Sequence, residues 1–261
     1  MTVRCGGLLR CRLVERLSIE LTDRCEKACA FCYARARPGG ERAWRPEDVV
    51  ALVLDCAAHG TRAVSFGGGE PLEYPPLLEV LAATRGRLFR SFTTSGLQLD
   101  GALDALATAA PEKIHVSIHD PADAAEVARV VRQVRALEAR GIRGGVNVLV
   151  RRSGLAAARE AGAALRAAGI GADRIVWLPM RRHGDAPSAK EVAAAAGGPF
   201  QSATCLGGCA PSPRFASLDA AGTAAWCSYT RSRAPLRAMT HAALLDALAE
   251  APLAPCGGTP P

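Results

Sequence analysis

Six short apolar stretches, alternating with helical ones, limit what this chain can fold into more than any other feature. Residues 17–21, 62–66, 91–94, 113–119, 144–150 and 174–179 alternate or run apolar as strands do. Helices are expected at 45–59, 77–85, 102–109, 120–140 and 156–168. Pro46, Glu47 and Asp48 mark the first helix start, because proline fits a first turn and acids complement its positive end. This alternation argues for parallel βα units joined by right-handed crossovers. Six units are too few to close an eight-stranded barrel, and in such sheets the loops at the strand C-termini carry the site.

Two motifs fall at such strand ends. After the first strand, Cys25-Glu-Lys-Ala-Cys29-Ala-Phe31-Cys32 sets three thiols at CxxxCxxC spacing. Three thiolates this close can wrap one face of a compact metal centre but cannot supply the four ligands of a closed structural site. One position is left open for chemistry, which points to an iron–sulfur site. A zinc knuckle or three unrelated buried cysteines are the plainer alternatives. After the second strand comes Gly67-Gly68-Gly69-Glu70-Pro71, where glycines let the backbone approach a small ligand and Pro71 stops the strand.

CxxxCxΦC, with Phe31 before the last cysteine, followed by this glycine–glutamate–proline turn, resembles the radical S-adenosylmethionine (radical SAM) superfamily. The resemblance covers about residues 13–180 and implies an α/β fold: an open (βα)6 partial TIM barrel with a small C-terminal cysteine-rich appendage. It implies that Cys25, Cys29 and Cys32 bind three irons of a [4Fe–4S] cluster, whose fourth iron is chelated by S-adenosylmethionine. Reductive cleavage then yields a 5′-deoxyadenosyl radical that takes a hydrogen atom from substrate. By the same resemblance Gly68, Gly69 and Glu70 meet the methionine amino group, and the backbone around Phe31 meets adenine. Ser117 and Asn147, near strand ends, are candidates for the ribose hydroxyls or the methionine carboxylate, with ordinary strand-end hydrogen bonds as the alternative. His119 and His183 are candidates for substrate contact or proton transfer, although a lone histidine is more often structural. An electron donor such as a flavodoxin or ferredoxin is implied as a partner.

Residues 181–200 read as an Ala/Gly-rich connector, so the chain divides into a lead-in (1–12), a barrel (13–185) and a tail (186–261). In the tail, residues 215–227 read as a hairpin with an Asp219-x-x-Gly222 turn. Cys209-x12-Gly222-x4-Cys227 resembles the opening of the SPASM and twitch appendages of radical SAM enzymes; the later cysteine-dense part of SPASM is absent. The resemblance implies a truncated, twitch-like region holding one auxiliary [4Fe–4S] cluster on Cys209, Cys227 and some combination of Cys205 and Cys256. The same four thiols meet the ligand count for structural zinc. A last helix is expected at 241–249.

The remaining bounds come from composition. Ten cysteines among 261 residues point to metal or redox work more than to disulfides, if the chain is cytoplasmic. That location is expected, since no run of eighteen apolar residues and no convincing secretory signal is found. The net charge of +7 is carried mostly by dispersed arginines, and 5% aromatics offer few stacking platforms. This argues against nucleic acid and an RNA-modifying role. Cys5, Cys11 and Cys56 receive no role. The resulting expectation is an oxidoreductase acting on a peptide or small-molecule natural product with help from the auxiliary cluster. The alternatives are a redox-neutral epimerase using a cysteine as hydrogen donor, and a non-catalytic metal-binding module.

Overall fold

The computed structural model describes residues 14–181, 184–201, 203, 206, 212 and 214–252. All six expected strands form: β1 (Arg16–Thr22), β2 (Ala63–Gly68), β3 (Phe89–Thr94), β4 (Lys113–Ile118), β5 (Arg143–Val150) and β6 (Ile175–Pro179). Between them lie α1 (Pro46–Ala58), α2 (Leu77–Ala83), α3 (Leu99–Ala109), α4 (Ala124–Glu138) and α5 (Leu155–Ala167). Neighbouring strands of this set pair in parallel, in the order β6-β5-β4-β3-β2-β1, and β6 does not return to β1. The sheet is open, as six βα units require.

Period-two alternation sorts the two faces of the sheet. Leu17, Ile19, Leu21, Val64, Phe66, Phe92, Ile114, Val116, Val146 and Val148 are all buried in one core with the apolar sides of the helices. The intervening Ser18, Ser65, Thr93, Ser117 and Asn147 face the concave side and line a cavity. Ser18 lies in register with Ser65, Ser65 with Ser91, and Ser117 with Asn147. A closed barrel fills this space with branched side chains; here short polar ones leave it hollow.

Two features depart from the sequence expectation. Residues 181–200 are not a plain connector: Ala189–Ala196 forms α6, with Val192 and Ala195 buried. Its start is a capping box, in which the Ser188 side chain accepts from the Glu191 N–H and Glu191 reaches back to the Ser188 N–H. The Ser-x-x-Glu signal lay in the sequence, but the alanine-rich run masked it. The hairpin forms as expected, from β7 (Phe215–Leu218) and β8 (Thr223–Ala225), with Gly222 at φ +79° closing the turn. It is not a detached unit: β7 adds in parallel to the free edge of β1, and β8 and the short β9 (Ala234–Pro235) extend the same sheet. Helix α7 (His241–Glu250) follows, and Trp226 donates to the Leu248 and Ala251 carbonyls at 2.9 and 3.1 Å. No helix among the described residues is long and apolar enough to cross a membrane.

Arg90 on β3 is 1% exposed and fully employed: it pairs with Glu112 at 2.8 Å and donates to the carbonyls of Leu81, Ala109 and Ala110. It thereby ties together the ends of α2 and α3. Arg90→Leu strips those carbonyls of their donor and should destabilise the protein by about 2–4 kcal/mol, read as a lower denaturation midpoint with unchanged slope.

Candidate active site at the open end of the sheet

The loop leaving β1 doubles back on itself. Cys25 N–H donates to the Arg37 carbonyl, Arg37 N–H to Asp23, and Trp44 N–H to Leu21. Within this frame the cysteines occupy successive tight turns, with Ala28 N–H donating to Cys25 and Cys32 N–H to Cys29, and Ala28 in the left-handed region at φ +48°. All three thiols are unbridged, half-buried and face one cavity. Burial raises the Cys25 and Cys29 thiols above their ordinary value, so ionising them calls for a metal partner. Among the described residues no group of three or more Cys, His, Asp or Glu side chains is drawn together as a single metal ion requires.

The glycine turn packs straight onto this loop. Gly69 N–H donates to the Thr22 carbonyl at 2.7 Å and Glu70 N–H to Arg24 at 2.9 Å. A Cβ on Gly69 would sit 1.9 Å from the Arg24 carbonyl oxygen, and one on Gly68, at φ +102°, 2.7 Å from Glu20 Cα. Glu70 is 3% exposed, and its carboxylate accepts from Leu72 N–H, Ser95 N–H and Ser95 Oγ, bracing β2 against β3. Two further carboxylates clamp the loop from outside. Glu73 accepts from the Glu26 N–H, and Glu126, in the first turn of α4, pairs with Lys27 Nζ at 2.9 Å. Burial pushes the Glu126 carboxyl up, but His119, Lys27 and the Asp120 N–H outweigh it and hold it down at about 2.

The cavity, of about 610 Å³, is within the range of small-molecule sites. Cys25, Cys29, Phe31, Cys32, Gly68, Gly69, Glu70, Ser117 and Asn147 all line it. Ser117 and Asn147 are 7% and 8% exposed, yet neither side chain makes a hydrogen bond among the described residues. Buried polar groups left without protein partners are what a ligand would complete. The Phe31 ring lies between His119, 5.8 Å away, and the Arg151 guanidinium at 5.1 Å. His119 Nδ1 is buried, 3.8 Å from Glu126. Ser228, Tyr229 and Arg231, just after Cys227, complete the wall on the tail side. Cys227 is half-buried, with Tyr229 N–H 3.4 Å from its sulfur. Cys205, Cys209, Cys256 and His183 lie outside the described residues, as do Cys5 and Cys11. Cys56 sits fully buried in α1, its thiol pushed up to about 12 by burial, and is a core residue.

Glu20 escaped sequence reasoning, because a single acid in an alternating strand looks like an exposed position. It is 6% exposed on the concave face beside Gly68 and makes no hydrogen bond or ion pair among the described residues. Burial pushes its carboxyl up to about 7, partly offset by Arg233 and reinforced by Asp219. The only sequence signal available was its place on the inward parity of β1.

The profile of the radical SAM superfamily matches residues 19–181. Among curated relatives, GTP 3',8-cyclase 2 of Mycobacterium bovis is 37% identical over 115 residues, covering 41% of this chain and 32% of that one. The chain thus matches about a third of that relative's length. SuiB of Streptococcus suis, bound to S-adenosylmethionine, superimposes with a TM-score of 0.68 at 13% identity, covering 83% of this chain and 60% of SuiB. SuiB bound to its precursor peptide SuiA gives a TM-score of 0.66 at 14% identity, with the same coverage. At such identities the likeness to SuiB is one of fold.

Two outcomes are expected. Gly69→Ala should destabilise by about 1–3 kcal/mol, because the Arg24 backbone cannot yield, while Gly39→Ala, with nothing within 4 Å of the added atom, should leave denaturation unchanged. For Glu20 the folded pKa lies above the ordinary value of 4.5, so the protonated form favours folding; that contribution is complete below pH 4.5 and lost as pH rises through about 7. Glu20→Gln should therefore match the parent at pH 4.5 and exceed it by up to about 3 kcal/mol at pH 8, in denaturation curves taken across that range.

Proposed function

This chain belongs to the radical SAM superfamily, and from that premise we propose that it reductively cleaves S-adenosylmethionine, takes a hydrogen atom from a peptide or natural-product substrate, and oxidises it with help from an auxiliary [4Fe–4S] cluster. The family's [4Fe–4S] cluster and S-adenosylmethionine, when bound, supply one-electron reduction and hydrogen-atom abstraction, chemistry that belongs to the cofactor. The observation that carries the reading is the meeting, in one cavity, of three unbridged thiols with the unpartnered Ser117 and Asn147.

In this reading Cys25, Cys29 and Cys32 hold three irons. Ser117, next to the end of β4, and Asn147, in register with it midway along β5, supply hydroxyl and amide groups for the ribose or the methionine carboxylate. The Gly68–Gly69 backbone approaches the methionine amino group because no side chain fits there, and Glu70 holds that turn still. Phe31 offers an apolar surface to the adenine, and residues 228–231 help exclude water from the hollow face. Residues 13–185 act as the catalytic barrel and 186–261 as the auxiliary-cluster region, with Cys227 as one ligand beside Cys205, Cys209 and Cys256. A flavodoxin or ferredoxin serves as electron donor.

The peptide reading is supported by the fold shared with SuiB, whose structure includes a precursor peptide. A second reading, cyclisation of a nucleotide, is favoured by the relatives named GTP 3',8-cyclase. Anaerobic reconstitution followed by an iron count and a cleavage assay with a strong reductant tests the proposal. The parent should take up about eight irons per chain, the load of two four-iron clusters, and form 5′-deoxyadenosine. Cys29→Ala should form none; retained cleavage would remove this loop from the chemistry.

A further inference from the structure

A lysine stands inside the cysteine loop, two residues after Cys25 and two before Cys29. With Cys29, Phe31 and His119, this Lys27 lines both the main cavity and a second one walled by α4. Its Nζ donates to Glu126 Oε1 at 2.9 Å, 99 residues further along the chain in the first turn of α4. Glu126 is buried and Lys27 half-buried. The Asp120 N–H donates to the other carboxylate oxygen at 2.8 Å, while Arg129 Nη2 lies 3.4 Å and His119 Nδ1 3.8 Å from the first. Arg129 is held in turn by the Ser95 carbonyl and by Gln133.

Neutral side chains could tie this loop to α4 by hydrogen bonds alone. A lysine and a glutamate tie it while also placing two opposite charges next to a thiol. At the Cys29 sulfur, burial disfavours negative charge, the Lys27 cation favours it and the Glu126 carboxylate disfavours it. The pair is mostly out of water, so screening of these effects is weak. A thiolate-ligated cluster gains negative charge on reduction; a lone cation beside one ligand therefore raises its potential, and a carboxylate lowers it. Charges just outside the ligands are among the main levers on such a potential. Radical SAM chemistry starts from a strongly reducing cluster, and an uncompensated ammonium beside Cys29 would work against it.

We infer that Glu126 is a positioning residue for the iron–sulfur chemistry: it holds the Lys27 ammonium beside Cys29 in a charge-neutral pair, and so keeps low the reduction potential of the cluster on Cys25, Cys29 and Cys32. The inference rests on the radical SAM reading and adds to it a residue of α4 that lies outside both sequence motifs. Neither Lys27 nor Glu126 holds an iron. Their effect is electrostatic, and removing either charge moves the potential in a defined direction.

The test is a redox titration of the reconstituted full chain read by electron paramagnetic resonance, with iron counts matched across variants. The cluster of this loop is the one whose signal changes when S-adenosylmethionine is added. Glu126→Gln keeps the size and the acceptor for the Asp120 N–H but leaves Lys27 uncompensated. Its midpoint should rise, so that the reduced-to-oxidised ratio at the parent's midpoint increases at least about threefold. Lys27→Met should lower the midpoint, and Lys27→Met combined with Glu126→Gln should undo more than half of the rise, which a purely structural role would not do. An unchanged midpoint in Glu126→Gln, or a double variant that stays as high as Glu126→Gln, overturns the inference and leaves Glu126 a tether. Should Glu126→Gln fail to take up iron, Lys27→Met decides, and a midpoint at or above the parent's overturns it. A parent in which no signal responds to S-adenosylmethionine removes the radical SAM reading of the loop together with the inference.

Discussion

Where β2 ends, its glycines lie against the backbone that leaves β1, and the architecture of the site depends on that contact. Gly69 N–H reaches the Thr22 carbonyl, Glu70 N–H the Arg24 carbonyl, and no side chain fits between the two segments. The cysteine loop is irregular, with few repeating hydrogen bonds of its own. It is held by this seam on one side and by the carboxylates of Glu73 and Glu126 on the other. The two motifs are thus one mechanical unit, although about forty residues separate them in the chain. The glycines serve packing against the loop.

The second constraint is the parity of the strands. Branched apolar residues on one parity build the layer under the helices, and serines, threonines and Asn147 on the other leave the concave face empty. Small polar groups in a hollow gain little from one another, and their free energy is recovered when a polar ligand fills the space. Openness adds to this. With six parallel strands the ring is incomplete, and the tail extends the sheet on the β1 side: β7 joins β1, and Tyr229 bridges side chains from the cysteine loop and from the end of β6. The segment after Cys227 is therefore part of the cavity wall.

Much of this was legible without coordinates. The six strands and their helices follow from periodicity, to within two or three residues at most ends, because each strand is half-buried and each helix amphipathic. Asp123 caps α4 where an Asp-rich turn preceded an apolar repeat, and Asp219 with Gly222 shapes the tail turn as its spacing suggested. Helix α6 was missed because alanine and glycine dominate its run, although Ser188 and Glu191 carried the cap signal. Glu20 and the clamp by Glu126 were missed for a deeper reason: a carboxylate's surroundings come from strands and helices distant in the chain.

By itself the sequence determined the βα repeat, the thiol spacing, the glycine turn and the family to which these belong, since each is set by interactions between residues near one another or by periodicity along one element. Tertiary structure alone decided that the glycines press on the cysteine loop, that β7 extends the barrel edge, that Glu20 loses its water, and that Arg181 meets Tyr229 across the open seam. Those outcomes depend on which elements become neighbours in the sheet. Neighbourhood in the sheet arises from the burial of a whole face at once, and no local run of residues encodes it.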